Sequence, residues 1–360
     1  MKVIVGMSGG VDSAVAAYLL QQEGHEVIGM TLRTWESSDG KENRCCEIDD
    51  ARQVARKLGI PYHVLNCLSD FTKEVTEPFV RDYRCGLTPN PCVICNKNVK
   101  WERMLQMAKI LQADRVATGH YATLLKLDNG RYTVKKSACT GKDQTYMLYR
   151  LTQEQLQATM MPLGNLQKDE VRRIADEAQL IVAAKKDSQE ICFVPDGSYA
   201  DYIIENTGMV PSEGAFVDEA GNVLGTHKGI IFYTVGQRKG LGLALGYPAY
   251  VKSICVEKNE VVIAREESLY TSVIFCRDMN YMSICGLDRG EGISCKVKIR
   301  YHHEAQEAYV EGITKDRVRI EFKSPVRAAA PGQSAVLYDE NDCVIGGGII
   351  EKQEDTQDSV

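Results

Sequence analysis

Apolar and polar positions over the first 120 residues follow two rhythms. Short β-branched runs at 2–6, 26–32, 62–65 and 115–118 are separated by stretches of helical period at 12–22, 47–58 and 96–111. Strands alternating with helices predict an α/β fold, a parallel sheet covered by helices. In the third helical stretch Trp101, Met104, Leu105, Ala108 and Leu111 recur at i, i+3, i+4, i+7 and i+10, one stripe that faces a core rather than a cofactor. Beyond residue 120 a hairpin is expected through LLKLDNGRYTVKK, then helices at 153–159 and 168–179. From about residue 210 strands dominate: FVDEAGNVLG reads as a hairpin, and 249–264 and 292–337 alternate between glycine turns. We place a catalytic domain at 1–195, a small central domain at 196–275, a β-barrel-like domain at 276–352 and an acidic solvated tail at 353–360.

A chain of 360 residues, 44% hydrophobic, can bury a sizeable core in more than one domain. The opening MKVIVGMSGGVDS turns polar and glycine-rich after five apolar-leaning residues, too short for a signal peptide or a membrane span, which predicts a cytoplasmic protein with no membrane partner. Thirteen cysteines, an odd number spread irregularly, predict mostly reduced thiols; Cys67, Cys139 and Cys255 read as small buried hydrophobes. A net charge of −6 argues against a nucleic-acid-coating protein, but charge is local. Residues 126–150 carry six Lys or Arg against two Asp, a local +4, and 227–239 carry Lys228, Arg238 and Lys239 with no acid. Either stretch reads as solvated surface or as a phosphate contact.

SGGVDS, Ser8 to Ser13, lies between a strand and a helix. Gly9 and Gly10 permit a sharp turn and close approach, the helix start offers N–H groups, and Ser8 and Ser13 add hydroxyls, a cradle for phosphate without a lysine. It is neither GxxxxGK[ST] nor GxGxxG, which argues against Walker-type γ-phosphate transfer and dinucleotide binding. The string resembles the PP-loop of ATP pyrophosphatases. RCCEIDDARQVARKLGIPYHVLN, TPNPCVICNK, ATGHYA, GKDQTYMLYRL, SQEICFVPDG, FYTVGQRKGLG and SPVRAAAPGQSAVLY further resemble, in order and up to about residue 350, the tRNA-specific 2-thiouridylase family.

That resemblance implies an adenine nucleotide α-hydrolase-like first domain and ATP-dependent 2-thiolation of the wobble uridine of lysine, glutamate and glutamine tRNAs. Adenylation of O2 releases pyrophosphate, and sulfur then displaces AMP at C2. By matching positions, Gly6, Met7, Ser8, Gly9, Gly10, Val11, Asp12, Ser13, Met30 and Gly119 contact ATP, and Asp12 holds Mg²⁺. Asn90, Pro91, Cys92, His120, Lys142, Asp143, Gln144, Arg300, Tyr301 and Gln333 face tRNA, and Arg238 and Lys239 join them as phosphate contacts within GQRKGLG.

Cys95 matches the family's catalytic cysteine and Cys192 the cysteine that carries a persulfide supplied by a cysteine desulfurase or relay protein. Cys92 stands where the family commonly has aspartate, so that carboxylate's role has no counterpart here. Two readings stay open. A helix starting near Asn96 would activate the thiols before it, with Cys95 and Cys192 closing a disulfide. Alternatively Cys92, Cys95 and Cys192 form the three-thiolate set of a [4Fe-4S] cluster; zinc suits them less, because structural zinc takes four ligands. Cys45 and Cys46 match a CC pair of the family. Two rivals are another adenylating PP-loop enzyme, such as an amidotransferase-type or lysidine synthetase, and a non-catalytic RNA-binding module with a structural metal.

Overall fold

The computed structural model describes residues 1–35, 48–185, 187, 191–194 and 199–352. The chain opens with β1 (Lys2–Gly6), α1 (Val11–Gln22), β2 (Glu26–Arg33), α2 (Ile48–Leu58), β3 (Tyr62–Asn66) and β4 (Arg115–Thr118). An antiparallel hairpin, β5 (Ala122–Lys126) and β6 (Tyr132–Lys136), and the two-residue β7 (Thr159–Met160) follow. Strands β3-β2-β1-β4-β7, in that order, make one parallel sheet. The run Val3, Ile4, Val5 is wholly buried because helices cover both faces. Alternation sorts its side chains: Val3 and Val5 pack with Val15 and Leu20 of α1 and Val54 of α2, while Ile4 packs with Met30, Trp101 and Met104.

Trp101, Met104 and Ala108 are buried and Leu105 and Leu111 half-buried, as the stripe predicts. The helix carrying them differs from the expectation. It begins at Pro91, passes from an α-helical turn (Pro91–Cys95) into a π-helical stretch (Asn96–Trp101), and becomes α-helical again over Glu102–Leu111. Proline at the first helical position, with its fixed φ and no N–H to satisfy, starts the helix five residues early. A helix at Glu77–Arg84 was also not expected: only Phe79 and Tyr83 of its eight residues are buried, too few to set a period. The stretch predicted to stay helical to Thr159 stops at Gln157, because Thr159 pairs with Val116 to extend the sheet.

A second sheet, order β10-β11-β8-β9, comprises β8 (Gly214–Val217), β9 (Val223–His227), β10 (Tyr250–Cys255) and β11 (Glu260–Ala264). The third unit comprises β12 (Tyr270–Tyr281), β13 (Gly292–Lys298), β14 (Gln306–Thr314), β15 (Arg317–Arg327), β16 (Ser334–Tyr338) and β17 (Val344–Ile350). It closes as a barrel in the order β12-β15-β14-β13-β16-β17, which leaves no open edge. The predicted fold class, a helix-covered parallel sheet followed by a small central domain and a barrel, is the one found.

The barrel is fastened to the first domain through the β5–β6 hairpin. Arg131 donates through Nε and Nη2 to the carbonyls of Met282 and Tyr281, both at 2.8 Å. Thr133 Oγ1 donates to the Val344 carbonyl at 2.6 Å, and Lys136 pairs with Asp342 at 2.6 Å. Half of the cations in the basic stretch 126–150 are therefore engaged inside the protein: Arg131, Lys136 and Lys142, the last on Asp187. Arg300 joins the other two units, Nη2 donating to Val235 O at 2.8 Å and Ala328 O at 2.7 Å.

Trp101, fully buried, donates Nε1–H to Thr159 Oγ1 at 2.6 Å and so ties the long helix to β7. Trp101→Phe should lower stability by about 1–3 kcal/mol through the lost bond and the void. A urea midpoint unchanged by circular dichroism would show that this tie contributes nothing.

Candidate active site

Strand β1 pairs with β2 on one side and β4 on the other, Gly6 lying opposite Met30 and Thr118. The connections leaving β1 and β4 diverge there, opening a crevice at the strand ends, the place where open α/β sheets bind ligands. After β1 the chain runs through Met7, Ser8 and Gly9, the last at φ +73°, to Gly10, which caps α1. Ser8 N–H donates to Ser13 Oγ and Ser13 Oγ donates to Gly10 O, both at 3.1 Å, so the loop curls onto its own helix, whose first two residues are Val11 and Asp12. Met7 N–H donates to Met30 O at 2.7 Å, and Thr31 Oγ1 to Met7 O at 2.6 Å. Met30 itself is buried core and supports the loop through its carbonyl. After β4 comes Gly119, where a Cβ would lie 2.7 Å from both Asp12 C and Ser13 N. Only glycine lets the two backbones meet.

Asp12 Oδ1 accepts from Tyr121 Oη at 2.8 Å and from Lys168 Nζ at 2.7 Å. Lys168 also pairs with Asp187 at 2.8 Å, and Asp187 is held in turn by Lys142 at 2.7 Å and Arg172 at 3.2 Å. Lys185 Nζ donates to Gly9 O at 3.0 Å and to Asp50 at 2.6 Å. Burial and the Asp12 carboxylate push the Tyr121 hydroxyl up, so it donates. One carboxylate beside a phosphate cradle suits Mg²⁺, which takes one or two carboxylates plus substrate phosphates.

The thiols occupy a neighbouring region. Asn90 Nδ2 lies 3.4 Å from Met147 Sδ, Pro91 is buried, and Cys92 is half-buried within electrostatic reach of the Tyr301 hydroxyl. Cys95 is buried in the core against which half-buried Cys192 packs, and Cys192 is near Tyr202. Since the helix begins at Pro91, not near Asn96, Cys92 lies in its first turn and Cys95 at the end of that short segment. Among the described residues no three Cys, His, Asp or Glu side chains gather as metal ligands. Cys95 sits in the core, Cys192 and Tyr301 pack against that same core, and Cys92 neighbours Tyr301. The loop before these thiols is clamped by the barrel, Thr88 N–H donating to Pro331 O at 2.8 Å and Gln333 Nε2 to Thr88 O at 2.9 Å.

The other sequence-predicted residues have mixed surroundings. Asp143 is buried, which pushes its carboxyl up against the opposing bonds from Thr145 and Ser137. Gln144 Oε1 accepts the Tyr121 N–H at 2.9 Å. His120 Nδ1 lies 2.9 Å from Thr118 Oγ1, and burial, aided by Lys100, pushes its imidazole down to about 3. Arg238 and Lys239 are exposed on a turn of the central domain, while half-buried Arg300 spends Nη2 on backbone carbonyls.

Residues 1–196 match the family described as tRNA methyl transferase HUP domain, 203–265 its PRC-barrel domain and 272–350 the Aminomethyltransferase beta-barrel domain. The chain is 50% identical over 358 residues to the tRNA-specific 2-thiouridylase MnmA of Lachnoclostridium phytofermentans, spanning 98% of this chain and 99% of that one. It is 50% identical to the same enzyme of Acetivibrio thermocellus (97% and 99%) and 47% to that of Clostridioides difficile (98% and 98%). This chain belongs to the tRNA-specific 2-thiouridylase family. The U34-tRNA thiolase NcsA of Methanococcus maripaludis, solved with its [4Fe-4S] cluster, aligns with 58% of this chain and 64% of its own at 19% identity and a TM-score of 0.36, too remote to carry an argument about sulfur chemistry.

Membership of the 2-thiouridylase family makes the chain a sulfurtransferase. Among the described residues no helix is long and apolar enough to cross a membrane. Cys45, Cys46 and the tail 353–360 lie outside the described residues. Tyr121, Lys168, Lys185 and Asp187 escaped the sequence reading, since partners so far apart in the chain leave no local pattern. One weak signal existed: Lys168 opens a helix, where a cation opposes the macrodipole.

Two outcomes follow from this geometry. Gly119→Ala should weaken MgATP binding at least about tenfold by pushing α1 off β4, since overpacking against backbone finds no easy relief; calorimetric titration would expose an intact site. His120 titrates near 6.5 when unfolded and about 3 when folded. Acid therefore protonates the unfolded chain first, and stability falls as pH drops through that window. His120→Gln should flatten the fall between pH 6.5 and 4 in thermal unfolding, and equal slopes would contradict a neutral buried imidazole.

Proposed function

We propose that this enzyme uses ATP to replace the C2 oxygen of the wobble uridine with sulfur in lysine, glutamate and glutamine tRNAs. The observation that carries the reading is a lysine-free phosphate loop at the β1–β4 crevice together with Cys95 and Cys192 packed on one core. Uridine O2 attacks the α-phosphorus, the α–β bond breaks, and pyrophosphate leaves from the Ser8–Ser13 loop. Asp12 would hold the magnesium ion that offsets the charge on that leaving group. A poor leaving oxygen thereby becomes AMP.

Sulfur arrives as a persulfide on Cys192, loaded by a cysteine desulfurase or relay protein; partial exposure leaves Cys192 reachable. Its terminal sulfur attacks C2 and AMP departs. The Cys95 thiolate then attacks the Cys192 sulfur, the S–S bond to the product breaks, and 2-thiouridine leaves with a Cys95–Cys192 disulfide behind. An external thiol reductant returns both cysteines to thiols. Asn90, Pro91, Cys92, Tyr301 and Gln333 border the target base, and neutral His120 offers it a hydrogen bond without charge. Lys142, Arg238 and Lys239 meet the phosphate backbone, and single-stranded anticodon bases leave their stack at modest cost.

Cys95→Ser and Cys192→Ser should each abolish 2-thiouridine formation, read by mass spectrometry of digested tRNA, while tRNA-stimulated pyrophosphate release continues. Cys92→Asp should sustain turnover. Thiolation surviving both serine changes would favour another adenylating PP-loop activity, and absence of pyrophosphate release in the native enzyme a non-catalytic RNA-binding module. Iron and sulfide in anaerobically purified enzyme, lost in Cys92→Asp along with turnover, would replace the persulfide route by a cluster.

A further inference from the structure

We propose that Asp187 is a positioning residue that couples tRNA contact to nucleotide binding, the central link in a series of alternating charges between Lys142 and Asp12. This rests on reading Lys142 as a tRNA-phosphate contact and the Ser8–Ser13 loop as the place of ATP. Lys142 has two claims on it: that contact, and the Asp187 carboxylate, 45 residues away in the chain, which already holds its ammonium.

Four charged groups lie in series. Lys142 Nζ is 2.7 Å from Asp187 Oδ2, Lys168 Nζ is 2.8 Å from Asp187 Oδ1, and the same Lys168 Nζ is 2.7 Å from Asp12 Oδ1. The two oxygens of Asp187 thus serve different lysines. Side-chain exposure falls from 37% at Lys142 to 18% at Asp187 and 12% at Lys168, so salt screens the outer end of the series far more than the inner one. Burial alone would raise the Asp187 carboxyl, but hydrogen bonds from Lys142 and Lys168 hold it below its ordinary range, so it stays ionised. Arg172 fixes it in place: Nη2 lies 3.2 Å from Asp187 Oδ1, and Nη1 donates to the carbonyls of Ala183 and Lys185 at 2.9 and 3.1 Å.

Coupling follows from the sharing. Among the described residues Asp187 is the one carboxylate that pairs with both lysines. A phosphodiester that takes Lys142 removes one of the cations neutralising Asp187, and the carboxylate then attracts Lys168 more strongly. Lys168 is drawn toward Asp187 and away from Asp12, which keeps Tyr121 as a donor and becomes available to the cation that accompanies ATP phosphates. By linkage, tRNA and MgATP should each raise the affinity for the other by the same factor.

The test measures that factor. Affinity of the full-length enzyme for α,β-methylene-ATP with magnesium, which cannot be split between the α- and β-phosphates, is read by calorimetry with and without saturating unmodified lysine tRNA. In the wild type tRNA should tighten nucleotide binding about fivefold or more. Asp187→Asn, which keeps the shape and removes the charge, and Lys142→Ala should each erase the difference, and the two changes together should do no more than either alone, as one series requires. Asp187→Glu should recover part of it. Should Asp187→Asn fail to fold, the half-exposed Lys142→Ala site decides by itself. A merely structural carboxylate would weaken both single affinities and leave their ratio as in the wild type; that result overturns the proposal, as does a wild-type enzyme that binds both ligands without mutual effect. A wild-type enzyme that binds only one ligand or neither would instead remove the reading of the two sites, and this inference with it.

Discussion

The contact between Gly119 and the backbone of Asp12 and Ser13 is the constraint on which the crevice at the ends of β1 and β4 depends. Parallel strands need long crossovers, and the sheet order sends the crossover after β1 one way and the chain after β4 the other. The first turn of α1 is thus pressed against the end of β4. That proximity brings Tyr121, two residues beyond Gly119, onto Asp12, and packs α1 against the helix carrying Lys168. One missing methyl group thereby aligns the Ser8–Ser13 loop, the Asp12 carboxylate and a cluster of cations.

The thiol region depends on a different device. A short helix begun by Pro91 sets Cys92 and Cys95 within one turn, and the π-helical stretch that follows re-aims the chain before the long helix resumes. Wide turns of this kind are costly within regular helices and concentrate at functional sites. Asn96, just after Cys95, donates Nδ2–H to Met147 O at 3.0 Å, tying this region to the segment that also carries Lys142 and Gln144. The Ser8–Ser13 loop and the thiol region are therefore joined through the segment that carries Gln144, whose side chain holds Tyr121.

Much of this was legible in the sequence. Strands β1 and β4 have the predicted bounds, because continuous β-branched runs between glycines and polar breaks leave little ambiguity. The strand–loop–helix turn at Ser8–Ser13 was legible because its signal is local: two glycines, two hydroxyls and a helix start within six residues. Lys168 and Asp187 were not, since their meaning lies in partners that only tertiary packing supplies. Lys142 and Arg300 illustrate the converse. The resemblance sets both against tRNA, and local sequence did not show that Asp187 holds one and backbone carbonyls hold Nη2 of the other. The proline helix start was hidden because NPC reads equally well as a turn, and the two-residue β7 because its pairing with β4 is set by the sheet rather than by its own composition.

The clamp on Thr88 has a consequence for how the protein is made. Gln333, which secures the loop leading to Cys92, lies 245 residues downstream. At typical synthesis rates of about 5–20 residues per second, roughly 12–50 s separate emergence of the loop from that of its fastener. During that interval the parallel sheet can fold, since its strands are complete by Met160, but the segment before the cysteines has no barrel to hold it. An unfinished chain can thus own a folded Ser8–Ser13 loop before its thiol loop is secured, and the barrel, which leaves the ribosome later, finishes the arrangement that the sheet began.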